Sequence, residues 1–252
     1  MIVTAALLAL MAPPAQSTPD EAVDRYGRAI ATGSAADLRA AFQPSAMMYC
    51  TDGRDIRGTY QSQWQDRLES GGPPELPIAT HIEWRDAGAT TALVRASAVR
   101  GAKTFTDYIL LARLAGVWRI VGKLCQDRAQ PDEASAVAVG AVVDTKMASD
   151  RSWDADRLAQ SIDDRALIMS VEKGELVAAS LAEWQARYVD RRRTSPGSAA
   201  IEIDRNIDAR GSIGVARWSF KSPSGAIWTD RALVMKTPSG WRMMALLFVK
   251  EP

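Results

Sequence analysis

The chain spells one hairpin twice. Residues 105–125 read FTDYILLARLAGVWRIVGKLC, and residues 228–248 read WTDRALVMKTPSGWRMMALLF. Thr106 and Asp107 fall on Thr229 and Asp230, and Trp118 and Arg119 on Trp241 and Arg242, all at an offset of 123. Upstream, SAMMYCTDGRDIRGTYQSQWQDR (45–67) lies over RALIMSVEKGELVAASLAEWQAR (165–187) at an offset of 120, which puts Trp64 on Trp184 and Arg67 on Arg187. The tetrapeptide PDEA opens both halves, at 19–22 and 131–134, 112 positions apart. Offsets that drift in constant order describe a duplicated unit, with about eight residues added early in the second copy and three later. Additions of this kind belong in loops or at helix ends. Each copy is long enough to be a domain. The expected division is a leader at 1–17, a first domain at 18–127 and a second at 131–252. The intervening QDRAQP, fully extended, reaches at most about 20 Å, enough for two docked neighbours.

Within a unit the elements follow from local chemistry. Thr18-Pro19-Asp20-Glu21 predicts a capped helix start with proline in the first turn, and Val23, Tyr26 and Ile30 share one helical face. Gly33 ends that helix and Ser34 caps a second. AMMYCT predicts a short strand that turns at Asp52-Gly53 into RDIRGTY. Tyr60, Trp64 and Leu68, four apart, predict a third helix. Strands are expected near 79–86, 90–100, 104–113 and 117–125, joined by glycine-containing turns. The fold class is α+β: an antiparallel sheet packed on three helices, in the order α-α-β-β-α-β-β-β-β, present twice.

Charge narrows the partners. Lys plus Arg number 31 against 30 Asp plus Glu, so no broad basic field exists to hold a phosphate backbone, and nucleic acid is not an expected partner. The run Arg191, Arg192, Arg193 reads as a solvated helix end, where cations suit the dipole. The first seventeen residues, MIVTAALLALMAPPAQS, are uncharged. Their apolar stretch is too short to span a bilayer, and Ala15-Gln16-Ser17 offers the small residues of a cleavage site. They predict an export signal, although the usual basic n-region is missing, and hence a periplasmic or secreted protein. No other stretch approaches membrane length. Two thiols and one histidine, His81, do not make a metal centre, and no cofactor is expected. In an exported chain the even cysteine count favours a disulfide.

The order of elements resembles the nuclear-transport-factor-2-like superfamily, cones of curved sheet closed by three helices. FTDYILLARLAGVWRIVGKLC resembles the C-terminal signature of its lumazine-binding branch, which the second copy keeps except that Arg231 replaces Tyr108. The resemblance implies a tandem of two cones that imitates the homodimer common in the superfamily. It leaves the activity open, because the fold hosts ketosteroid isomerase, scytalone dehydratase, SnoaL-like cyclases and many binding modules. No residue set in the chain specifies a pteridine.

Tyr26, Gly33 and Phe42 also match the spacing of a Tyr, Gly and Phe in ketosteroid isomerase. The resemblance implies that Tyr26 donates to an oxyanion, with a base eight positions after Phe42. That position is Cys50, and in the second copy Ser170, so the enzyme reading needs Asp52 or Asp107 as a substitute base. Because this fold sets the first strand beside the last, Cys50 and Cys125 are either a pocket thiol and its neighbour or a staple worth about 2–4 kcal/mol. The staple is the favoured reading.

The expected ligand pocket comprises Tyr26, Met48, Cys50, Trp64 and Asp107, in the first unit rather than the second. Asp107 and Asp230 have two competing roles, a buried acid facing the pocket or a cross-strand partner for Arg119 and Arg242; their joint retention favours the pair. His81 reads as a surface residue, and the duplicated tryptophans as core. Tyr108 and Cys125, particular to the first copy, are where functional asymmetry is expected. The expected function is a non-catalytic small-molecule-binding or scaffold module with a small apolar or aromatic ligand. The alternative is an isomerase, cyclase or dehydratase acting on a small carbonyl or polycyclic compound through Tyr26 with Asp52 or Asp107.

Overall fold

The computed structural model describes residues 17–71, 75, 77–195, 197–198 and 200–251. The expected export signal falls almost wholly outside them. The first unit runs α1 (Pro19–Thr32), α2 (Ala35–Ala41), β1 (Phe42–Thr51), β2 (Ile56–Tyr60), α3 (Gln61–Gly71), β3 (Ile78–Ala87), β4 (Thr91–Arg100), β5 (Lys103–Leu114) and β6 (Val117–Asp127). The second repeats it as α4 (Glu133–Ser152), α5 (Ala155–Ser161), β7 (Ile162–Glu172), β8 (Glu175–Ser180), α6 (Leu181–Thr194), β9 (Ile201–Arg210), β10 (Ile213–Lys221), β11 (Ile227–Thr237) and β12 (Gly240–Lys250). The extra residues of the second copy lengthen helices: α4 has 20 residues against 14 in α1, and α6 has 14 against 11 in α3. No described helix is long and apolar enough to cross a membrane.

Caps place the first two helices of each unit. Thr18 accepts from the Glu21 amide at 3.2 Å, and Ser34 from the Asp37 amide at 3.1 Å. Between them Gly33 takes the left-handed φ of 73° that breaks α1 from α2. In the second unit the same break is made by Trp153 at φ 50°. A bulky residue there is uncommon.

Each unit forms one six-stranded sheet, ordered β2-β1-β6-β5-β4-β3 and β8-β7-β12-β11-β10-β9. The first strand lies parallel to the last, and all other pairs are antiparallel. This is the expected α+β architecture, a pair of cones, with helices filling the concave face of each sheet. The convex faces meet. Along β5, Ile109 and Leu111 enter the helix-side core while Tyr108, Leu110 and Ala112 enter a shared core between the sheets. Along β11, Ala232 and Val234 face in while Leu233 and Met235 face the other sheet. Strands buried on both faces lose their polar alternation, which is why ILLA (109–112) and ALVM (232–235) read as unbroken apolar runs. At Gly122 the sheets approach so closely that a Cβ would stand 3.1 Å from Leu233.

Reciprocal ion pairs frame this shared core. Arg95 on β4 holds Asp208 on β9, and Arg217 on β10 holds Asp86 on β3 at 3.2 Å. Equivalent residues of each unit thus reach the other, as in a two-fold interface. Tyr108 adds a hydroxyl donor to Asp208 at 3.0 Å, and Arg231, at the matching place on β11, donates to Asp86 at 2.9 Å. Tyr108 is therefore an interface residue, and the asymmetry expected of it lies outside the pocket.

The expected Asp107–Arg119 and Asp230–Arg242 pairs do not form. In an antiparallel hairpin a residue early in one strand faces one late in the next, so Asp107 lies opposite Cys125 and Arg119 opposite Ala112. Asp230 likewise lies opposite Phe248, and Arg242 opposite Met235. Arg119 instead donates to the carbonyls of Arg39 and Ala40 at the end of α2.

Candidate functional site

A cavity of about 350 Å³ opens inside the first cone, between α1, α3 and the concave sheet face. Tyr26, Met48, Cys50, Trp64 and Asp107 all line it. Helical and strand periodicities bring them together. Tyr26 points from α1 onto Phe42 and Trp64, with edge-on rings 5.8 and 5.7 Å apart. Asp107 arrives from the inward side of β5.

At the cavity floor Asp107 is 1% exposed and fully engaged. Its Oδ2 accepts from the Tyr26 hydroxyl at 2.6 Å and its Oδ1 from the Lys123 ammonium at 2.8 Å. Burial, and then the Asp107 charge, raise the Tyr26 hydroxyl well above its ordinary range. Lys123 also lies 5.3 Å from the Tyr26 ring centre. Lys123 was missed from sequence. Its signal was a lysine inside the apolar run VWRIVGKLC, diagonal to Asp107 on the same sheet face.

Cys50 and Cys125 face each other across the parallel β1–β6 pair and form a disulfide in the cavity wall. In the second unit the same register pairs Ser170 with Phe248. Asp52 is not in the cavity. It is fully exposed in the β1–β2 turn, where its Oδ1 accepts from the Arg54 and Asp55 amides, which hold its carboxyl below the usual range. His81 is an exposed residue of β3. Toward the mouth the lining includes Arg57, Arg67 and Arg100, all exposed. Among the described residues none of the three has an ion-pair partner within 4.0 Å, while Asp107 is the one acid in the wall.

The second cone encloses about 240 Å³. Its walls are aromatic: Trp153, Trp184, Tyr188, Phe220, Trp228 and Phe248. Trp153 stands edge-on to Tyr188 at 5.3 Å, and Trp184 to Phe248 at 5.5 Å. Arg191 closes α6 with Arg192 and Arg193 as the expected exposed basic helix end, and its guanidinium lies 4.9 Å from the Trp153 ring and 5.6 Å from that of Trp184. The buried Lys146 ammonium binds both oxygens of Asp150, at 2.8 and 2.7 Å, and the Tyr188 hydroxyl donates to the same carboxylate. Despite burial, the Asp150 charge raises the Lys146 ammonium above its ordinary range. Asp230, the counterpart of Asp107, lines the cavity 3% exposed with its Oδ1 unpartnered. Burial pushes its carboxyl up to about 7, against the lowering charge of Lys146. Among the described residues no cluster has the make-up of a metal site.

Residues 15–126 match the family model described as "Putative lumazine-binding"; the match covers the first unit. No curated protein matches the chain. Solved structures that resemble it include nuclear-transport-factor-2-like proteins of unknown function from Silicibacter pomeroyi and Shewanella baltica. The first is 19% identical over 42% of this chain and 90% of that one, with a TM-score of 0.39. The second is 20% identical over 44% and 92%, with a TM-score of 0.40. A "putative ketosteroid isomerase" from Shewanella frigidimarina is 17% identical over 44% and 94%, with a TM-score of 0.37.

Proposed function

We propose that this chain, a nuclear-transport-factor-2-like protein with two cones in tandem, is an exported, non-catalytic small-molecule-binding module working as an internal pseudo-dimer. Its first cone takes a small apolar or aromatic compound that carries an anionic group. The observation that carries this reading is the closed Tyr26–Asp107–Lys123 set beneath three unpaired arginines. Proton transfer at carbon needs a base free to take the proton and a donor free to face the oxyanion. Asp107 has a donor on each oxygen, and the Tyr26 hydroxyl already spends its hydrogen bond on Asp107. Asp52, the other base considered, is occupied in a surface turn. What is left at the cavity is recognition: apolar walls for a ring, and Arg57, Arg67 and Arg100 for an anion at the mouth.

The test uses 2-naphthoate and its uncharged analogue 2-naphthylmethanol, titrated against the tryptophan fluorescence of the full chain. 2-Naphthoate is expected to bind more tightly, and to lose about tenfold when Arg57, Arg67 and Arg100 are all changed to Ala or when salt is raised toward 1 M. Equal affinity for the two compounds, unchanged by the triple substitution, sinks the reading. Export is tested separately, by the N-terminal residue of the protein recovered from the periplasm or medium.

A further inference from the structure

Asp107 and Asp230 hold the same place in the two cones, yet only Asp107 is satisfied. The positions that supply its donors, Tyr26 and Lys123, are Lys146 and Leu246 in the second cone by the repeat offsets. Lys146 is turned to Asp150, and a leucine has nothing to donate. Asp230 therefore lies in an aromatic cavity with an orphaned oxygen and no hydrogen bond among the described residues. A buried carboxylate in that state is costly and is ordinarily resolved by a partner.

We infer that the second cone is a ligand site of its own, for a small flat aromatic compound bearing an N–H donor, such as an amino-substituted or protonated nitrogen heterocycle, which gives Asp230 the hydrogen bond its own cone withholds. Two further observations point to the same occupant. Trp153 adopts the left-handed backbone at the position where the first unit uses Gly33, a strained placement of the kind kept at binding sites. The faces of Trp153 and Trp184 already carry the Arg191 guanidinium, while among the described residues those of Phe220, Trp228 and Phe248 carry no cation and can receive one. Lys146 does not oppose it, because Asp150 already neutralises that ammonium. A carboxyl that titrates near 7 is one a donor can draw into its charged form at neutral pH.

The experiment is a fluorescence titration of the full chain with 4-aminoquinoline, beside 2-naphthoate of similar size. 4-Aminoquinoline is expected to quench the tryptophans of the second cone. Asp230→Asn, which keeps the shape and removes the charge, is expected to weaken it at least tenfold. Leu246→Lys, which supplies the donor that Lys123 gives Asp107, is expected to weaken it likewise. Neither substitution should move 2-naphthoate. The inference is overturned if 4-aminoquinoline does not bind, if Asp230→Asn leaves its affinity unchanged, or if the loss follows the first-cone arginine substitutions instead. Because the two cones are read with different probes and different variants, the anion reading and this one can fail independently.

Discussion

The two cones carry the same side-chain chemistry wired in different ways. Each buries a tyrosine, a lysine and an aspartate of β5 or β11 beside its cavity. In the first, the tyrosine on α1 and the lysine on β6 converge on that aspartate. In the second, the lysine has taken the tyrosine's place on the first helix, and a tyrosine has appeared on the third. Both turn to Asp150, one helical turn along α4. Moving two donors has left Asp230 in place and changed what it is for. Hydrogen-bond satisfaction, more than residue identity, separates the two sites.

The largest effect expected is a difference in sign. Asp107→Asn leaves Lys123 buried without its counter-charge and should destabilise the chain by about 3–5 kcal/mol. The same change at Asp230 should stabilise it at pH 8. The sign follows from linkage. The folded carboxyl titrates near 7 and the unfolded one near 3.8, so the folded state holds the extra proton between them. Stability then falls as pH rises from about 4 to about 7, by about 4 kcal/mol in all. Asp230→Asn should flatten that slope, with no gain below pH 4. Denaturant titrations at pH 4, 6 and 8 measure both variants. A destabilising Asp230→Asn at pH 8 would erase the distinction between the cones.

The disulfide comes next. Only the first cone has one, closing a loop of 75 residues, and its removal by Cys50→Ser with Cys125→Ala should cost about 2–4 kcal/mol. The loss should appear in the first cone's own unfolding, followed by hydrogen exchange along β1 and β6. Protection lost equally from β7 and β12 would show that the two cones melt as one.

The smallest effect concerns what the cones share. Arg95→Ala and Arg217→Ala each remove one of two reciprocal charged contacts, so each should cost about 2 kcal/mol. Double-mutant cycles with Asp208→Ala and Asp86→Ala should return similar coupling energies. Coupling in one pair and none in the other would break the two-fold reading of the interface.

Much of the fold was legible because duplication shows every element twice. The double-sided burial of β5 and β11 also leaves an apolar run that is hard to misread. Tyr26, Met48, Cys50, Trp64 and Asp107 could be grouped because the helix period places Tyr26 and Trp64 inward and the resemblance to ketosteroid isomerase implied a pocket around Tyr26 and Cys50. Partnership was harder to read. Counting outward from the turn at Ala115 and Gly116 already carries Asp107 toward Cys125 and Lys123 and away from Arg119; only the final one-residue register, set by a shift between Leu110 and Leu111, is encoded by no local propensity. The second site was obscured for a different reason. Repeat offsets match positions, and there the donors had changed position.

A homodimer assembled from a single cone would write every substitution twice, once into each pocket. Here the reciprocal Arg95–Asp208 and Arg217–Asp86 contacts keep the geometry of such a dimer, but both partners lie on one chain. A mutation therefore lands on one cavity and leaves its twin alone. One lineage of pocket can hold a disulfide and a closed Tyr–Asp–Lys set while the other accumulates tryptophans, all behind a common frame. On one chain the two interiors differ while the contacts between the sheets keep their reciprocal pattern.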